Sequence, residues 1–256
     1  MLLTSTRRLC TASDAAVFRR IVASRSSAGS FQDKALPEDA LQDILGVTLR
    51  TPTAFNMQPY HMVVVQDRAR RRLLSKAMLQ LNCVRVEEAP VTVVFAADLD
   101  VDAQLPAVVD LLKTSGFPPA YVERFPFSVR SMSGAGAAPA RAALCAASRV
   151  LSAVAPMPSL SSTEAWAFKS TALLGSTMVL ASAAHGIDSH IMEGVDSGRV
   201  CEAVGLSPTR YRVPFVVSLG YKADGDASRK RSPRLPPTAK VSLNVAGAPF
   251  PGIPSV

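Results

Sequence analysis

The chain has 256 residues, 48% hydrophobic and 19% charged, with a formal net charge of +8. That is enough to bury a substantial core, and the balance excludes wholesale disorder. Cys10, Cys83, Cys145 and Cys201 are scattered with no CxxC pair, and His61, His185 and His190 share no ligand spacing, so no metal site or disulfide framework is expected and a reducing compartment is the simpler setting.

In chain order, residues 1–12, MLLTSTRRLCTA, combine Arg7 and Arg8 with hydroxyl and apolar side chains and no acid. This composition reads as a mitochondrial transit peptide; the two arginines interrupt the apolar run that a secretory signal needs. Residues 1–20 hold four Arg and one Asp, a net +3, so their removal would lower the +8 to about +5. Apolar periodicity predicts helices over 13–24, 37–48, 67–81, 103–115, 139–154, 161–185 and 197–204, and strands over 61–66, 91–97, 187–191 and 213–221. The Pro- and Gly-rich stretches 116–139 and 222–256 lack periodicity, and the first is expected to form a lid. Helix 161–185 is expected to open with a capping box from Ser161 to Glu164 and carries no charge from Ser170 to Ala184, so it should be buried on all sides. The five Ser or Thr residues of that uncharged run and the nearby Lys169 argue against a membrane span. One domain is expected over 13–237, with 238–256 as a C-terminal tail.

The most informative stretch is RTPTAFNMQPY at 50–60. Pro52 and Pro59 fix their own φ and bias the residues before them toward extended backbone, so Thr53, Asn56 and Gln58 should sit on a stiff, non-helical segment. A hydroxyl and two amides held there suit the rim of a flat, polar-edged heterocycle. Further segments follow the same logic of donors beside apolar elements: ArgSerSerAlaGlySerPhe at 25–31, Asn82 to Arg85 ahead of VTVVFAAD, MetGluGly at 192–194, and SerProArgLeuPro at 232–236.

In order and spacing these segments resemble the FMN-dependent nitroreductase family, and the presequence adds a likeness to its mitochondrial members of the trypanosomal type I kind. The resemblance implies an α+β fold of three α/β/α layers around a mostly antiparallel central sheet. It implies an obligate homodimer with FMN at the interface, in which helix 161–185 is central and Ala172, Gly175, Ser176 and Ser182 permit close packing. The positions matched to cofactor contacts are Arg25, Ser26, Ser27, Gly29, Pro52, Thr53, Ala54, Asn56, Gln58, Asn82, Arg85, Ile191, Met192, Glu193, Gly194, Arg231 and Arg234. FMN lacks an adenine to grip, so charge-assisted bonds from Arg25 and Arg234 to its phosphate should carry much of the affinity. Arg85 is expected beside the polar ring edge that gains negative charge on reduction, with the Gly194 N–H near N5. No side chain need act as acid or base. Phe55 is a candidate for the acceptor site, and Phe125 and Phe127 are either ring contacts or core residues under the lid.

The resemblance implies hydride transfer from NADH or NADPH to a nitroaromatic or quinone acceptor by a ping-pong route. GlyAlaGlyAlaAlaPro at 134–139 only imitates a dinucleotide loop, since no strand precedes it and no acid lies between Glu123 and Glu164. The chain departs from the family at Gly29, where many members carry Arg or Lys, and at Ser232, where some carry Lys although Lys230 and Arg231 stand just upstream. A dehalogenase or flavin-consuming enzyme of the same fold would share these contacts, but residues 98–139 lack the ordered Glu, Tyr and Lys of a deiodinase-like lid. From another class, the runs at 68–72 and 229–231 would suit a nucleic-acid-binding protein, yet no aromatics interleave them, so no nucleic-acid partner is expected.

Overall fold

The computed structural model describes residues 11–136, 138–157, 160–226 and 232–253. Its strands are β1 (Tyr60–Val65), β2 (Val91–Asp98), β3 (Asp188–Met192) and β4 (Tyr211–Gly220). They pair antiparallel in the order β1-β2-β4-β3. Every residue of β2 is buried, because it lies in the middle of the sheet with helices over both faces. This is why VTVVFAAD reads as a continuous apolar run instead of an alternating one.

The two faces divide by the period of the strand. Val91, Val93 and Phe95 of β2, with Phe215, Val217 and Leu219 of β4, meet Ile44 of α2 (Glu38–Leu49) and Leu174 and Met178 of α8 (Thr163–Ala184). Val94, Ala96 and Val216 point the other way, onto Leu74 of α3 (Arg68–Ser75), Val86 of α4 (Asn82–Glu88) and Val200 of α9 (Ser197–Ala203). The result is the expected three-layer α+β arrangement. A third apolar cluster joins α5 (Val101–Thr114) and α6 (Pro119–Ser133) to Trp166 and Ala167 of α8. The outermost helices are α1 (Ala12–Ser24) and α7 (Ala138–Leu151).

Several elements differ from expectation. The helix predicted over 67–81 ends at Ser75, because the next residues turn to meet another element: Met78 bridges Val195, and Ala77 O accepts from Asp196 N. A separate short α4 then begins at Asn82. The stretch 116–139, expected to lack regular structure, contains α6 and the start of α7. Pro118 is the N-cap of α6 and Pro119 its first residue, where proline's fixed φ suits a helix and its missing N–H costs nothing. Helix α8 is capped by Ser162, whose Oγ accepts from Ala165 N, one residue later than the predicted box. Nor is α8 buried all round: Ala172, Leu173 and Ser176 are exposed. Gly175 and Ser182 face inward instead. A Cβ on Gly175 would lie 2.7 Å from the Phe215 ring, and Ser182 Oγ donates to Met178 O. Among the described residues, no helix is long and apolar enough to cross a membrane.

Candidate functional site

The end of α1 and the chain beyond β4 converge on one cavity. Arg25 caps α1 in extended conformation, turning the chain so that Ser27 bridges Ser189 of β3. A cavity of about 260 Å³ is lined by Val22, Ala23, Arg25, Ser26, Ser27, Ser232 and Arg234. Two arginines from opposite ends of the sequence therefore line the same small space with three serines, a donor set suited to a phosphate dianion. Arg234 Nη1 donates to the nearby carbonyls of Ser232 and Pro233.

A second cluster continues from the first. Ala28 N donates to Ser189 O, and the His190 ring nitrogen Nδ1 bonds to Ala28 O, which fixes the backbone of 27–29 against β3. Arg85 Nε then donates to Gly29 O at 3.2 Å and its Nη1 to Asn82 Oδ1 at 3.1 Å. Asn82 Nδ2 donates to Gly194 O at 3.3 Å. A Cβ on Gly194 would come within 2.7 Å of that nitrogen, so the glycine keeps the amide close to the backbone. In this way Arg25, Ser26, Ser27, Gly29, Asn82, Arg85 and Gly194 form one continuous wall running from a cationic cavity to a polar edge. Met192 buries its side chain in the core beside α9 and pairs with Val216 of β4, whereas Ile191 and Glu193 are exposed. Arg231 lies outside the described residues.

Sequence reasoning missed two members of this wall. Lys222, two residues beyond β4, donates to Ser26 Oγ at 2.5 Å and pairs with Asp188 at 3.3 Å, adding a third cation near the cavity. Asp226 accepts from Gly29 N at 2.7 Å. Neither stands at a telling spacing from the motifs; both arrive because Phe31 and Lys222 form an antiparallel bridge that zips 30–32 to 221–223.

The loop at 52–58 lies elsewhere. It leads into β1 at one edge of the sheet, whereas Gly194 follows β3 at the other, three strand spacings or about 14 Å away. Among the described residues no hydrogen bond joins Pro52, Thr53, Ala54, Asn56 or Gln58 to the Arg25–Gly194 wall. The loop is also not extended as expected. Residues 54–56 make a 3-10 turn, and Phe55, Asn56 and Gln58 take φ of 56°, 52° and 49°. Each left-handed non-glycine residue costs on the order of 1–3 kcal/mol, a cost that persists where surrounding structure over-determines it. Here Thr53 Oγ1 accepts from Gln58 N at 3.0 Å, and Met57, which is buried, anchors the turn. Phe55 packs edge-on to Phe125 with centroids 6.1 Å apart; Phe125 is 2% exposed while Phe127 is 78% exposed. Phe125 thus takes the core alternative, and Phe127 faces solvent.

Other charged clusters have structural roles. Asp98, 2% exposed, accepts from Arg210 and Gln104 side chains and from Asp100 N. Burial raises its pKa, but these donors, led by Arg210, outweigh it and hold the carboxyl below its ordinary value. The run at 68–72 is no continuous basic face, because Arg71 turns inward. Among the described residues no group of three His, Cys, Asp or Glu side chains gathers to hold a metal.

A model of the nitroreductase family matches residues 22–221. The NADH dehydrogenase of Thermus thermophilus is 32% identical over 210 residues, spanning 82% of this chain and 88% of its own length. The fold is similar to a nitroreductase family protein from Streptococcus pneumoniae, with a TM-score of 0.67 at 20% identity over 89% of this chain and 100% of that one. It is equally similar to a protein from Exiguobacterium sibiricum assigned as a nitroreductase and solved in complex with FMN, with a TM-score of 0.67 at 21% identity over 89% of this chain and 97% of that one.

Proposed function

Because this chain belongs to the nitroreductase family, we propose that it is an FMN-dependent oxidoreductase that draws hydride from NADH or NADPH and reduces nitroaromatic or quinone acceptors. The observation that carries this reading is the continuous wall from the Arg25–Arg234 cavity to the Asn82–Arg85–Gly194 edge. It fits FMN at both ends: two arginines suit the phosphate, and the missing Cβ at Gly194 lets the Asn82 amide, with Arg85 bonded to it, sit close against the backbone as a polar edge for a flat ring. When bound, FMN would supply a two-electron carrier between the nicotinamide and the acceptor.

The chain's residues bind and polarise. Arg25 and Arg234 hold the phosphate, with Lys222 supplying further positive potential at Ser26. Arg85 places a fixed cation at the polar edge, where it favours negative charge arriving on the ring. Its bond to Gly29 O directs that charge toward the position where many relatives carry a basic side chain, so Arg85 supports the compensation that Gly29 requires.

A homodimer completes the site in this proposal. The loop at 52–58 is stranded at the opposite sheet edge in its own subunit, and a second copy could bring it to the wall. The exposed Ala172–Leu173–Ser176 stripe of α8, together with Phe18 of α1, which buries none of its residues, supports an apolar contact between copies. The Arg-containing, acid-free segment 1–12 supports a mitochondrial address, testable by fusing residues 1–20 to a fluorescent reporter. The decisive experiment is FMN titration of the purified protein, expected to show about one FMN per subunit and NAD(P)H-driven bleaching. Colourless protein that fails to take up added FMN would overturn the proposal.

A further inference from the structure

Within the arginine run at 68–72, one residue behaves unlike its neighbours. Arg71 is 7% exposed, and it is buried against backbone instead of a carboxylate. Its Nη1 donates to Glu87 O and Ala89 O, both at 2.6 Å, and its Nε to Gln66 O at 3.3 Å. Burying a guanidinium costs several kcal/mol unless strong interactions offset it, so this position has a reason to be arginine. The reason lies in what the carbonyls belong to. Glu87 and Ala89 form the C-terminal end of α4, where helix carbonyls lack intrahelical partners and the dipole is negative.

Helix α4 has only seven residues, too few to be stable alone, and it is fastened at three levels. Asn82 ties its first residue to Gly194, Arg85 ties its middle to Gly29, and Arg71 ties its end to the turn before α3. Ser75 of α3 adds a bond to the Glu87 carboxylate at 2.6 Å. Arg85 is one turn from the clamp, and its own carbonyl accepts from Ala89 N at 3.1 Å. Movement at the clamp therefore reaches the Arg85 backbone directly.

We propose that Arg71 is a positioning residue for the cofactor site: by clamping the C-terminal turn of α4 it fixes Asn82 and Arg85 against Gly194 and Gly29 without itself reaching the site. This rests on the FMN reading above for its functional consequence. Leu74 and Val86 already pack α3 on α4 through apolar contact, so the guanidinium adds registration beyond adhesion.

Arg71→Met keeps an apolar stem and removes all three donations. In the FMN-loaded enzyme it should lower the two-electron reduction potential in the same direction as Arg85→Ala, and it should add little in an Arg85→Ala background. Arg71→Lys, able to serve fewer carbonyls, should recover part of the potential and gives the readout if Arg71→Met does not fold. A wild-type potential in the variant that folds, or additive effects of Arg71 and Arg85, would overturn the proposal. Hydrogen exchange without FMN separates this from the cofactor reading: amides 82–89 should exchange roughly tenfold faster or more in the variant, while β2 and β4 keep their protection. Unchanged protection at 82–89 refutes the clamp whether or not FMN binds.

Discussion

Gly194→Ala tests how closely the polar edge is built. The added methyl would lie 2.7 Å from Asn82 Nδ2 and 3.5 Å from Leu79 Cβ, against about 3.4 Å for ordinary contact. Leu79 is thus tolerated, but the Asn82 amide must retreat by about 0.7 Å, enough to take its 3.3 Å bond to Gly194 O out of range. The obstructing atom ends a side chain that can rotate, so the stability loss should be that of one neutral hydrogen bond, about 0.5–1.5 kcal/mol. For a chain of this length that is a fall of only a few degrees in Tm. Ligand binding should suffer more, because Arg85 Nη1 donates to Asn82 Oδ1 and moves with it. Fluorescence titration should show FMN bound about tenfold more weakly, equivalent to about 1.4 kcal/mol. In an Asn82→Ala background the same glycine substitution should have little further effect. Wild-type affinity in the single variant would show that Asn82 and Gly194 do not face the cofactor.

Arg234→Ala should weaken FMN binding by about 1.5–3 kcal/mol, the range for a hydrogen bond to a charged group, and unchanged affinity in the same titration would remove the C-terminal segment from the site. Arg85→Ala should lower the flavin's two-electron potential and slow its reduction by NAD(P)H with less effect on occupancy, as checked by dye-coupled titration and stopped flow; an unaltered potential would place Arg85 away from the ring. Because Asp98 titrates below its ordinary value of 3.8 when folded, its contribution to stability is present above that pH and is lost as the pH falls through the lower folded value. Asp98→Asn should therefore melt less steeply with acid below about pH 3.8 than the wild type, and parallel acid profiles would contradict the assignment. On the proposed dimer, FMN affinity should fall on dilution as the copies separate, and affinity independent of protein concentration down to the monomer would argue against a shared site.

The strands and long helices were legible because their burial is set by local pattern. A strand covered on both faces is uniformly apolar, and Val91–Asp98 announces itself. What escaped depended on tertiary contact. The break after Ser75 is imposed by Val195 and Asp196, more than a hundred residues away in sequence, and no property of Lys76–Leu81 alone ends the helix there. In the sequence the prolines of α6 look like loop signals, although Pro119 occupies a first turn where its constraint is harmless. At the site, the arginines stand in recognisable segments, whereas Lys222 and Asp226 do not, since their place follows from the pairing of Phe31 with Lys222. Phe125 and Phe127 are two residues apart and both fall in α6. A shift of two in a helix turns a side chain by about 200°, so they face opposite sides, one into the core and one into solvent.

The separation of the loop at 52–58 from the Arg25–Gly194 wall follows from strand order. Placing β2 and β4 in the middle gives the core its most apolar strands and leaves β1 and β3 outside. The segments that follow or flank β3, at Ser27–Gly29 and Gly194, can then share a wall with α4, which packs on the same side of the sheet. The loop entering β1 cannot reach that wall without crossing two strands. Its three left-handed residues are held by bonds within the loop and by buried Met57, independently of the Arg25–Gly194 group. On the proposed dimer, this rigid loop, remote from the cationic cavity of its own chain, would meet its ligand when the second copy is brought to it. That is the physical content of the proposed dimer: each copy supplies the wall for one cofactor and the rigid loop for the other.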